Sequence, residues 1–338
     1  MDLRTLGASG LSVTALGLGT RGHRAGLRDT EPGDVDRAIR GAIDGGCRLI
    51  DCGAAWGESE RVVGAAVRDR RAADATVVTT HVTIAGGLGL APAPVERAVE
   101  ASLRATRLEV LPLVWLDGWR DQWLVDPRWA ELADTLARLI RAGKALAWGA
   151  GVDDPGEAVG VVGAGVIAAV AAPFSLIDRR AAAALVPAAQ AAGVAVVARA
   201  PLGGDVLAGE LGPGVRFRHD DERGRYLPPA LLAASVTVAG LARFTRHVPP
   251  AAAASEPGRA RLDGLRRHPE VVHATVAELA VAYAAGAPGI TAALVGARTG
   301  AHAAAWWPAG PPAVPPAIRA ALDAEPWGAG WPSAHPGP

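Results

Sequence analysis

The sequence predicts an α/β fold, a (β/α)8 TIM barrel preceded by an N-terminal β-hairpin, and three observations carry that reading. Short β-like runs recur eight times along the chain. Amphipathic helical patterns lie between most of them. A length of 338 residues, half of them hydrophobic, suffices for the core of one such barrel. Strand and helix in alternation imply parallel strands with helices outside. A doubly wound open sheet is the alternative. Against it, the turn GLGTRGHRAG after the first run matches G-x-G-x-x-G only through Gly17, Gly19 and Gly22, with no helix directly behind it.

In chain order, residues 3–6 and 11–14 flank Ala8-Ser9-Gly10 and read as the hairpin. The eight runs follow: ALGLGT (15–20), CRLIDC (47–52), ATVVTTHV (75–82), VLPLVWLD (110–117), ALAWGAGV (145–152), VIAAVAAPF (166–174), VAVVARAP (194–201) and ITAALVGA (290–297). Helical patterns cover 35–44, 59–68, 94–105, 129–142 and 181–192. Residues 203–275 break the rhythm with Pro-, Arg- and Ala-rich sequence. They are expected to form an irregular or helical excursion before the last strand, inside a single domain spanning 1–338. The Pro- and Gly-rich residues 306–338 are expected to be an irregular cap.

Acidic and basic residues balance at 34 each, so no overall field draws the protein to nucleic acid or an anionic membrane. The expected partner is a small molecule. Cys47 and Cys52 flank one apolar run and fit neither a disulfide framework nor zinc-ligand spacing, which implies a reducing cytoplasm. The N-terminus has no signal-peptide apolar region, and no run reads as membrane-spanning. Lys144 is the only lysine.

Four segments, MDLRTLGASGLSVTALGLGT, LIDCGAAWGESERVVGAAV, APFSLIDRRAAAALVPAAQAAGVAVVARAPLGG and LVGARTGAHAAA, are similar in order to stretches of the aldo-keto reductases. The resemblance implies a barrel that binds NADP at its mouth and passes hydride to a carbonyl, using an Asp, a Tyr, a Lys and a His. Carried over position by position, the Asp is Asp51. Trp56 stands at the Tyr position, His81 at the Lys position and Trp115 at the His position. The only tyrosines are Tyr226 and Tyr283, and no histidine lies between His81 and His219, so no small shift of register restores the set. On the cofactor side, Gly151 and Val152 replace the family's Ser-Asn and Ala171 its Gln. Arg298 remains to pair with a 2′-phosphate, while the later Gln and Asn positions hold His302 and Trp306.

The expectation is therefore a kept scaffold without reductase activity and without a cofactor, residual NADP binding being disfavoured. Asp51 and His81 would end adjacent strands and face each other, either as a general acid/base pair or as a structural hydrogen bond. Trp56, Trp115, Trp119 and Trp148 would wall an aromatic or apolar substrate, and Arg199 could hold an anionic group. Asp117, Arg120 and Asp121 read as a solvated rim. The first reading is a cofactor-independent cyclase, dehydratase, isomerase or lyase of specialised metabolism. The alternatives are a non-catalytic binding protein, and an NADP-dependent aldo-keto reductase with an atypical proton donor.

Overall fold

The computed structural model describes residues 2–23, 33–84, 90–209, 211–217, 219, 221, 223–227 and 231–327. The expected cap beyond residue 327 and part of the 203–275 stretch lie outside the described residues. Strands β1 (Leu3–Thr5) and β2 (Ser12–Thr14) pair antiparallel as a hairpin, with Leu3 opposite Thr14. Strands β3 (Leu16–Gly19), β4 (Leu49–Asp51), β5 (Val77–Thr83), β6 (Leu111–Asp117), β7 (Ala145–Gly151), β8 (Ala169–Pro173), β9 (Ala195–Arg199) and β10 (Ile290–Gly296) follow. They close into a barrel in the order β10-β3-β4-β5-β6-β7-β8-β9.

Cα clustering divides the chain into two compact units. One holds Met1–Ala172, Ala181–Val197 and Gly289–Gly310. The other holds Pro173–Arg180, Ala198–Pro288 and Pro311–Pro338.

In the first unit, helices α1 (Asp34–Asp44), α2 (Ser59–Asp69), α3 (Pro92–Thr106), α4 (Arg128–Arg141), α5 (Val159–Gly163) and α6 (Leu185–Ala192) fall between strands. Each begins and stops for local reasons. Helix α3 opens with Pro92, whose missing N–H costs nothing in a first turn, and α6 ends on Gly193 at φ 68°. Alternation along each strand sends one set of side chains inward. Leu49, Val77, Leu113, Trp115, Ala147, Ala169, Ala171, Ala195, Val197, Ala292 and Leu294 form the interior cluster, which Leu6 and Val13 of the hairpin join. Burying these apolar groups is the main favourable term holding the barrel closed. Gly7 lets the hairpin come this close. It sits at φ 55°, and a Cβ there would lie 2.0 Å from the Ala168 carbonyl oxygen.

The second unit contains α7 (Arg223–Tyr226), α8 (Leu231–Leu241), α9 (Glu256–Asp263), α10 (Val276–Ala285) and α12 (Pro316–Ala324), while α11 (Gly300–Trp306) belongs to the first. Thr275 and Glu278 form a reciprocal capping box at the start of α10. Tyr283 donates to Asp323 at 2.7 Å, tying α10 to α12. Among the described residues, no helix is long and apolar enough to cross a membrane.

Candidate active site

At the C-terminal ends of β4, β5 and β6, inward-facing residues bring polar groups together above the apolar interior. Asp51 ends β4 and is 3% exposed. Its Oδ1 accepts from Thr79 Oγ1 at 2.5 Å, from Trp115 Nε1 at 3.0 Å and from His81 Nε2 at 3.0 Å, while Oδ2 lies 3.1 Å from the same nitrogen. A carboxylate this buried needs such a donor set to offset lost hydration. Its backbone is fixed as well, because Thr20 donates to the Asp51 carbonyl through both N and Oγ1.

His81 lies one pleat above Thr79 on β5, in register with Trp115. The Trp56 indole tilts against its ring at 4.7 Å between centroids, and Trp115 lies on another side at 6.3 Å. With Nε2 committed to Asp51, Nδ1 is buried and has no hydrogen-bond partner. Asp117 Oδ1 lies 3.5 Å away, beyond good hydrogen-bond range. Burial alone pushes the imidazole's pKa down, but the carboxylates of Asp51 and Asp117 more than reverse this and raise it to about 9. At neutral pH His81 is therefore a cation with one donor to spare.

Two glycines of β7 make room for this arrangement. A Cβ at Gly149 would meet the Trp115 ring at 2.3 Å, and one at Gly151 would meet Asp117 Oδ1 at 2.4 Å.

Of the residues expected at the site, Asp51, His81, Trp56 and Trp115 come together, whereas Trp148 and Trp119 do not join them. Trp148 pairs in register with Val114, so it faces outward, donating to the Leu136 carbonyl of α4. Trp119 is buried edge-on against Trp123 and Trp129 and donates to Asp121. Asp121 in turn accepts from the amides of Gly160 and Val161, so it braces α5 and does not serve as a solvated rim. Arg199 is half-buried at the end of β9 and falls in the second unit. Lys144 is taken up by Glu100 and Glu96. Cys52 is buried and donates to the Thr79 carbonyl, and burial followed by Glu60 and Asp51 holds its thiol far above the range of a nucleophile. Asp117, expected in a solvated rim, instead turns toward His81, with its side chain 15% exposed. The signal for it is parity: in LPLVWLD it shares a face with Leu113 and Trp115.

At the end of β10, Gly296 is exposed and pairs with Gly19, and a Cβ placed on it meets nothing. Arg298 follows, half-buried, beside Thr299, whose side chain accepts from the His302 amide at the start of α11. This is open backbone next to a guanidinium, a combination suited to phosphate. Gly151, Val152 and Ala171 carry no side-chain amide, and the Gly151 and Ala171 carbonyls and the Val152 amide are already hydrogen-bonded at the barrel rim.

A family model described as the aldo/keto reductase family matches residues 15–309. The chain belongs to the aldo/keto reductase family. Solved structures with the same barrel include a holo-form aldo-keto reductase from Bacillus halodurans, at 20% identity and TM-score 0.68 over 96% of this chain and 95% of that one. Another is an aldo/keto reductase from Klebsiella pneumoniae in complex with NADP and acetate, at 23% identity and TM-score 0.65 over 96% and 95%. A third is a glycerol dehydrogenase from Gluconobacter oxydans, at 21% identity and TM-score 0.69 over 95% and 94%. A search of curated proteins found no match.

These matches correct two expectations, that the chain takes no cofactor and that it is a non-redox lyase- or isomerase-type enzyme. The family match runs through Arg298, and the matched folds include reductases crystallised with NADP and with NADPH. They favour the alternative of an NADP-dependent aldo-keto reductase over both. Both expectations rest on family side chains replaced at both ends of the site, by Trp56, His81 and Trp115 at the proton-donor end and by Gly151, Val152 and Ala171 at the cofactor end. The physical reason they fail is that missing side chains do not exclude a phosphate held by a guanidinium and open backbone.

Proposed function

We propose that the chain is an NADP-dependent oxidoreductase acting on the carbonyl group of a small apolar or aromatic molecule, with His81 as proton donor. The observation that carries this reading is the buried, unpartnered Nδ1 of an imidazole held cationic by two carboxylates. The family resemblance places Trp56 and Trp115 where tyrosine and histidine would stand. An indole N–H has no acidity near neutral pH, so neither can donate the proton. His81 has the residue type, the charge and the spare donor for that step.

Arg298 would hold the 2′-phosphate, with Gly296 leaving its backbone open to the dinucleotide. When bound, NADPH supplies the hydride. Asp51 fixes the tautomer and ring angle of His81 by taking the Nε2 proton, and it balances the imidazolium charge. Thr79 and Trp115 hold Asp51 in turn. As negative charge develops on a carbonyl oxygen, Nδ1–H is delivered to it, leaving neutral His81. Trp56, 7% exposed, covers one face of the ring and keeps water from it. Two buried free thiols support a reducing compartment, the cytoplasm.

The test is NADPH oxidation followed against a panel of aliphatic and aromatic aldehydes and ketones. His81→Gln should lower turnover by about a hundredfold or more, as expected for loss of a general acid, while leaving NADPH affinity in place. Undiminished turnover in the variant would rule His81 out.

A further inference from the structure

We propose that Asp117 supplies His81 with its proton, carrying protons between bulk water and Nδ1; this rests on the reading of His81 as the donor. Every turnover that spends the Nδ1 proton leaves a neutral ring deep in the barrel, and that ring must be recharged. Among the described residues, four groups face it. From β4 comes Asp51, from β6 come Asp117 and the indole of Trp115, and from the loop after β4 comes the indole of Trp56. The indoles carry no proton that is labile near neutral pH. The Asp51 side chain is 4% exposed, and its two oxygens are engaged by Thr79, Trp115 and Nε2. Asp117 is the more exposed, its side chain at 15%, and it faces the other nitrogen at 3.5 Å.

The placement of Asp117 is built into the barrel. Its carbonyl accepts from the Ile84 amide at 3.1 Å, and its backbone pairs with Thr83 on one side and Gly151 on the other. Gly151 leaves the volume that the carboxylate occupies, since a Cβ there would lie 2.4 Å from Oδ1.

The step balances. After Nδ1–H has passed to the substrate oxygen, the ring holds only its Nε2 proton. The Asp117 carboxyl, protonated from water, gives its proton to Nδ1, regenerating the imidazolium and the Asp117 carboxylate. Alcohol oxidation runs the same transfers in reverse. Asp117 acts through His81 and touches no substrate atom, so it is a positioning residue.

The test is exchange of the His81 Nδ1 proton with water, measured by NMR at pH 7 on the 15N-histidine-labelled full chain, which requires no substrate. Asp117→Asn should slow that exchange by about tenfold or more and lower the His81 titration midpoint, whereas Asp117→Glu should restore exchange to about the wild-type rate. Should Asp117→Asn fail to fold, Gly151→Ala carries the same test, because its Cβ displaces the carboxylate while leaving it in the chain. Exchange unchanged in Asp117→Asn or Gly151→Ala overturns the relay. Exchange that depends on Asp117, in a chain that never binds NADPH, supports the relay and overturns the reductase reading instead.

Discussion

Two outcomes follow from the raised pKa of His81. The ring goes from an ordinary 6.5 to about 9 on folding, so the folded state binds the proton more tightly than the unfolded chain. That stabilisation is fully present below about pH 6.5 and is lost as pH rises through about 9. Tm should therefore fall between pH 7 and pH 10 in the native chain, and fall less in His81→Gln. Carbonyl reduction should stay flat at neutral pH and decline above about 9, a limb that moves downward in Asp117→Asn. Trp115 makes a separate contribution through its N–H to Asp51. Trp115→Phe removes one donor from a buried carboxylate and should cost about 1–3 kcal/mol by urea denaturation. The Asp51–His81 meeting was legible in the sequence because both residues lie near the C-terminal ends of adjacent parallel strands. The division of the tryptophans was legible only in part. Parity separates Trp115 from Trp148 once the register of β6 on β7 is known, and one sequence does not give that register.

At the scale of elements, the strands and helices followed their patterns, with ends moved by a few residues. The run 166–174 yields a strand only from Ala169 to Pro173. Helix α6 starts at Leu185, because a 3-10 turn over Arg180–Ala182 takes the start of the expected helix. Close approach between helices was not legible. Gly64 of α2 packs on the end of α3, where a Cβ would fall 1.9 Å from the Thr106 carbonyl oxygen. Gly64→Ala should therefore destabilise the fold by about 3 kcal/mol or prevent it, although alanine is the better helix former in isolation. Thermal denaturation decides this, and a Tm at or above that of the native chain would show that α2 and α3 can part. Gly149 invites the opposite test. Gly149→Ala pushes on the Trp115 ring, so it should loosen the hydrogen bond to Asp51 as well as the core.

For the whole molecule, the alternation of eight strands with helices was enough to predict the barrel, since few other architectures satisfy it. The cofactor was misread from the same residues. Trp56, His81 and Trp115 together with Gly151, Val152 and Ala171 imply a lost redox site, whereas on the proposed reading the first three alter only the proton donor, and Gly296 and Arg298 lie at the end of another strand. On the proposed reading, proton donor and dinucleotide are served by different strand ends, so one can change while the other stays. Arg298→Ala should accordingly weaken NADPH binding by about ten- to a hundredfold and NADH binding much less, as read by isothermal titration calorimetry. The most direct measurement is NADPH titration of the native chain, followed by NADPH oxidation at 340 nm on adding an aromatic aldehyde such as benzaldehyde. The account predicts saturable micromolar binding and aldehyde-dependent oxidation that His81→Gln abolishes; no binding at millimolar NADPH would contradict it.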